Sequence, residues 1–151
     1  MESNATDHFP LAIGKFIHHC GGLELFVNNA IRSFGEDDVL SAAAIKAPLY
    51  RRIHTLRNLL HERSDLASED VVALCDDLEA TRKNRNDVVH NPIMTQEVGG
   101  WDDAVILCVR YKPDGTIITE ELARDDVVRF VNQTSELLQR FAELVPEATK
   151  A

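Results

Sequence analysis

The side chains best equipped for chemistry lie in the stretch Arg82-Lys83-Asn84-Arg85-Asn86-Asp87-Val88-Val89-His90-Asn91-Pro92. An imidazole exchanges protons near neutral pH and serves as general acid or base. A guanidinium grips a phosphate through two parallel hydrogen bonds, and an amide can orient either group. Arg85, Asn86 and His90 therefore carry the side-chain types needed to polarise and cleave a phosphodiester, with Arg82 and Lys83 as auxiliary cations. The same residues at a helix end also suit a purely structural hydrogen-bond network, and the residue types alone leave both readings open.

A second set lies upstream. Tyr50, His54, Arg57 or Asn58, and His61 recur at helical spacing and would form an aromatic and basic face suited to stacking on bases or holding phosphate. A solvated face is the plainer reading of the same pattern. His18-His19-Cys20 offers metal-ligand types, but adjacent residues diverge on a helix and no second cluster at zinc spacing accompanies them. His54 and His61 lack further ligands in the sequence, so no metal ligand is assigned and no cofactor is expected. There is no phosphate-cradling glycine loop, nucleophile elbow or Cys-x-x-Cys pair.

These residues need a scaffold. A chain of 151 residues with 44% hydrophobic content supports one domain, taken as 1–151 with flexible ends at about 1–8 and 147–151. Sixteen basic against 25 acidic residues give a net charge of −9, which argues against a general electrostatic grip on nucleic acid. The cations are uneven, however: Lys46, Arg51, Arg52, Arg57 and Arg63 share a segment whose only acid is Glu62, leaving room for a local basic patch. Cys20, Cys75 and Cys108 are odd in number, distant and flanked by apolar residues, which suits buried thiols in a reducing compartment. With neither an apolar leader nor a membrane-length apolar run, the expected location is cytoplasmic.

The hydrophobic period places the elements. From Leu11 to Phe34 the apolar residues recur at three- and four-residue steps, predicting a helix. Gly21-Gly22 within it call for close packing by a neighbour or a local break, and Glu24 and Asn28, one turn apart, are placed to meet a buried arginine. Gly35 ends the helix and Glu36-Asp37-Asp38 caps the next, which reaches about Arg63 with a kink or restart at Pro48. Ser68-Glu69-Asp70 starts a third helix running to His90, stopped by Pro92. Its apolar line, Val71, Leu74, Cys75 and Leu78, continues through Arg82 and Arg85 to Val89, placing arginines where the pattern calls for apolar side chains. After a break at Gly99-Gly100, strands over 104–109 and 116–119 flank a turn at Lys112-Pro113-Asp114-Gly115. A last amphipathic helix begins at Asp125-Asp126 and closes at Pro146. The fold class is mainly α: an antiparallel bundle of four to five helices with a β-hairpin inserted before the last helix.

The order Arg85-Asn86-Asp87-Val88-Val89-His90 resembles the Arg-Asn-x-x-x-His signature of the HEPN superfamily, whose members are helical bundles and in many cases metal-independent ribonucleases. The resemblance implies an endoribonuclease, with Arg85, Asn86 and His90 catalytic and products ending in a 2′,3′-cyclic phosphate. It further implies a homodimer in which two copies of the motif face each other, so that the arginines on the apolar stripe mark the dimer seam. It points as well to a toxin or host-defence component, with an antitoxin or other protein as partner. Asp87 and Val88 are filler in that signature. A catalytically inactive HEPN-like interaction module, with a structural motif, is the alternative.

Overall fold

The computed structural model describes residues 9–91, 93–94 and 104–150. The chain runs α1 (Phe9–Phe34), α2 (Asp38–Ile45), α3 (Leu49–His61), α4 (Ser68–His90), β1 (Ile93–Met94), β2 (Val105–Tyr111), β3 (Ile117–Ala123), α5 (Arg124–Leu144) and a terminal 3-10 turn, Pro146–Thr149. It is mainly helical, with an antiparallel hairpin before the last helix, as its periodicity predicts. The polar stretch 1–8, Pro92, the glycine pair at 99 and 100, and residue 151 lie outside the described residues.

Local chemistry sets most boundaries. The Asp37 carboxylate accepts from the backbone N–H of Val39 (2.7 Å) and Leu40 (3.1 Å), capping α2. Pro48 gives a true restart, since α2 stops at Ile45 and α3 begins at Leu49. Gly35 is required by a close approach: a Cβ there would fall 1.8 Å from Ser41 Oγ and 2.9 Å from the Ile31 carbonyl. Ser68 does not cap α4; it is the first helical residue, and Ala67 precedes it without a side-chain cap. In the hairpin turn Gly115 adopts φ +84°, which an L side chain would resist. Asp126 accepts from Ala123 N at 3.0 Å at the head of α5.

Gly21 and Gly22 leave α1 unbroken. A Cβ at Gly22 would meet Leu138 of α5 at 3.3 Å, the close packing that the sequence called for, whereas at Gly21 nothing among the described residues lies within 4 Å. Gly21→Ala is therefore expected to raise stability by about 0.5–1 kcal/mol through helix propensity. Gly22→Ala should gain less, because Leu138 must yield. Urea unfolding of the two variants checks the difference.

Two features were not legible beforehand. β1 adds a third strand, giving the antiparallel order β1-β2-β3 with Ile93 opposite Ile106. The C-terminal end is also more ordered than expected over 147–149: Pro146–Thr149 folds back, Ala148 is fully buried, and its carbonyl accepts from Asn29 Nδ2 of α1 at 3.0 Å. A small apolar residue followed by Thr reads as a tail until its docking surface on α1 exists.

The core divides in two. One cluster joins the C-terminal half of α1 to α3, α5, the terminal turn and the first half of α4 through Val71, Leu74, Cys75 and Leu78. The other joins the N-terminal half of α1 to β2, α5 and Val88 at the end of α4. α4 thus enters one cluster, leaves it after Leu78 and reaches the other at Val88. The three thiols are buried. No helix among the described residues is long and apolar enough to cross a membrane.

Candidate functional site

The polar stretch of α4 occupies the interval between the two cores. Arg82 and Arg85 continue the buried line beyond Leu78, and both are half-buried. The line then differs from the expected one. Val88, not Val89, is buried, and Val89 is 44% exposed. The departure has a packing cause: Val88 turns toward Ile106 and Cys108 in the second cluster, while the described residues leave Val89 largely uncovered. Val88 is therefore a core residue rather than filler.

Arg82 and Arg85 line a cavity between α1, α3 and α4 together with Cys20, Glu24, Leu49 and Ile53. At about 20 Å3 it holds roughly one water, so it is no nucleotide pocket, and any substrate must meet these arginines from their exposed side. Burial is the main cause that pushes the Cys20 thiol up to about 12, partly offset by the adjacent Arg85 guanidinium. Burial likewise raises Cys75 and Cys108. All three thiols are thus expected to resist Ellman's reagent at pH 8 in the native protein and to react once unfolded. Because the folded Cys20 value lies above the unfolded one, its contribution to stability is complete below about pH 8.5 and is lost as pH rises toward about 12, and the raised Cys75 and Cys108 act in the same direction. A melting series between pH 8 and 11 should show the decline.

Pairing separates the predicted cations. Arg82 Nε binds Glu79 at 2.9 Å and Arg57 binds Asp76 at 2.5 Å, so these two candidate RNA contacts are engaged within the chain. Lys83 is exposed. Tyr50, His54 and His61 are exposed along one side of α3. Tyr50 Oη accepts from Arg51 Nε at 3.0 Å, and His61 Nδ1 lies 3.5 Å from Ser68 Oγ. The anticipated encounter of Glu24 and Asn28 with a buried arginine is realised by Arg52, which bonds Glu24 and, at 2.9 Å, Asn28 Oδ1. His19 Nδ1 faces Thr134 Oγ1 at 3.3 Å. Among the described residues no group of three or more His, Cys, Asp or Glu is arranged to hold a metal ion.

The acids of α4 are largely neutralised despite the charge of −9. Asp76 faces Arg57, Asp77 faces Arg140 at 2.5 Å, Glu79 faces Arg82, and Asp87 faces Arg110 at 2.7 Å. Arg85, Asn86 and His90 differ from these residues: among the described residues none of their side chains makes a hydrogen bond or ion pair. At about 100° and 1.5 Å per residue, Asn86 and His90 stand one turn apart on one face, while Arg85 and His90 are about 140° and 7.5 Å apart. Within one chain the imidazole and the guanidinium therefore lie on widely separated sides of α4. Asp87, left without a role by the sequence, ties α4 to the sheet, and only the tertiary fold reveals its partner Arg110.

No protein-family model, curated protein or solved structure matches the chain.

Proposed function

We propose that the chain is a metal-independent endoribonuclease of HEPN kind whose site is completed when two copies meet across the exposed side of α4. One observation carries this reading. Arg85, Asn86 and His90 lie together at the end of α4 with no partner among the described residues, although nearly every neighbouring charge is paired. Side chains that brace a bundle are hydrogen-bonded to it; His90 is exposed, Arg85 and Asn86 are half-buried, and none of the three is held by such a bond among the described residues.

In this reading His90 takes the proton from a ribose 2′-hydroxyl, and the 2′-oxygen attacks the adjacent phosphorus. Arg85 neutralises the charge that gathers on the non-bridging oxygens, with Asn86 orienting the phosphate. The bond from phosphorus to the 5′-oxygen breaks, and the partner subunit's His90 gives that oxygen its proton. The products are a 2′,3′-cyclic phosphate and a 5′-hydroxyl. Pairing two copies also answers the 140° divergence, because one subunit's arginine can face the other's imidazole. Lys83, Tyr50, His54 and His61 would extend the RNA contact, and a toxin or defence role in the cytoplasm, restrained by an antitoxin, would fit such an activity.

The test is incubation of purified protein with RNA in EDTA, with analysis of the product ends. Cyclic phosphate termini are expected, and intact RNA would sink the proposal. A second reading, a non-catalytic interaction module, draws on α2, whose Val39 and Leu40 are 76% and 69% exposed. It predicts intact RNA in the same assay.

A further inference from the structure

We propose that Asn91 is a positioning residue, which fixes His90 by tying the last turn of α4 to strand β2; the inference rests on the reading of His90 as the acid-base group. His90 is the final helical residue, and helix ends fray because their last carbonyls lack intrahelical partners. Here the end is held. Asn91 Nδ2 donates to the Asp87 carbonyl at 2.8 Å, capping the last turn, and Asn91 Oδ1 accepts from the Val109 backbone N–H at 3.1 Å. One amide thus spans helix and strand across 18 positions of sequence.

Its neighbours act in the same place. The Asp87 carboxylate pairs with Arg110 at 2.7 Å, and Cys108 Sγ lies 3.9 Å from the Asp87 carbonyl. Three consecutive β2 residues therefore grip the positions on both sides of His90, three residues before it and one after. The sheet explains why an amide is needed. Among the described residues β1 pairs with β2 at Val105 and Ile106, and farther along β2 the Asn91 side chain supplies the acceptor that a longer β1 would have offered Val109. Asn has both the donor and the acceptor this position uses; Asp lacks the donor, and Ala lacks both.

The consequence is geometric. An acid-base group displaced by about 1 Å loses on the order of 100-fold in rate. Asn91→Ala is expected to lower kcat by roughly 10- to 100-fold with KM little changed, and to shift and broaden the His90 imidazole Cε1–H resonance while that of exposed His54 stays in place. Both effects together support the inference. A fall in kcat with an unmoved His90 resonance, or a moved resonance with wild-type kcat, overturns it. If Asn91→Ala fails to fold, Asn91→Asp, which keeps the acceptor toward Val109, is read by the same two criteria. If the wild type cleaves no RNA, the ribonuclease reading falls, and the resonance alone decides whether Asn91 fixes His90.

Discussion

Arg85→Ala and His90→Ala are each expected to lower RNA cleavage by on the order of 10^2- to 10^4-fold, the range for removing an acid-base group or a transition-state charge partner. Both should leave the melting temperature within a few degrees of wild type. The second half of this expectation separates the two functional readings. A side chain that braces a fold takes stability with it when truncated, by about 1–3 kcal/mol for a stranded buried partner. Neither Arg85 nor His90 has a hydrogen-bonded partner to strand among the described residues, and His90 is exposed. Arg85 does line the cavity beside Cys20, so its truncation forfeits some packing of its stem. Cleavage products and a thermal melt from the same preparations suffice. Variants that cut as well as wild type would refute the assignment of catalysis to these residues, and variants that melt far below it would favour a structural motif.

The largest effect on stability is expected at the buried pair between α1 and α3. Arg52 is 9% exposed and bonds both Glu24 and Asn28, while its Nε is buried without a partner. Desolvating a guanidinium is costly, and only the bonds it makes offset that cost. Removing one member of a fully buried pair typically costs about 3–5 kcal/mol. The Glu24 side chain keeps 35% of its exposure, so solvent screening lowers the expectation for Glu24→Ala to roughly 2–3 kcal/mol. In a chain of this size that is a fall in Tm of about 4–12 °C. Adding Arg52→Met to Glu24→Ala should recover much of it, because the unpaired charge leaves with the arginine. A Glu24→Ala protein melting within a degree of wild type would show that Asn28 alone satisfies Arg52.

Much of this architecture was legible because its determinants are local. The long apolar periods of α1, α4 and α5, the restart at Pro48, the Asp37 cap and the Lys112–Gly115 turn all act over a few residues. β1 is only two residues long, too short to leave a pattern, and the Pro146–Thr149 turn owes its order to a surface on α1 distant in sequence. The site was half legible. Periodicity showed that Arg82 and Arg85 fall on the line of Leu78, but a period gives the direction of the core and not where the core ends. Val88 rather than Val89 is buried for that reason: past Leu78 the helix leaves one cluster and answers to another. The partners of Asp76, Asp77 and Asp87 likewise lie on α3, α5 and β2, so no reading of α4 by itself could tell its neutralised acids from its unpaired motif.

The docking of the last turn on the first helix also bears on the order in which the chain can fold. α1 is made well before α5 and Ala148, against which it packs. At bacterial to eukaryotic elongation speeds the nascent α1 waits on the order of ten seconds for these partners. Part of its apolar face stays unsheltered until then, the rest being covered earlier by α3 and α4. Closure then joins segments far apart in sequence, which slows a helical protein relative to bundles built from adjacent hairpins.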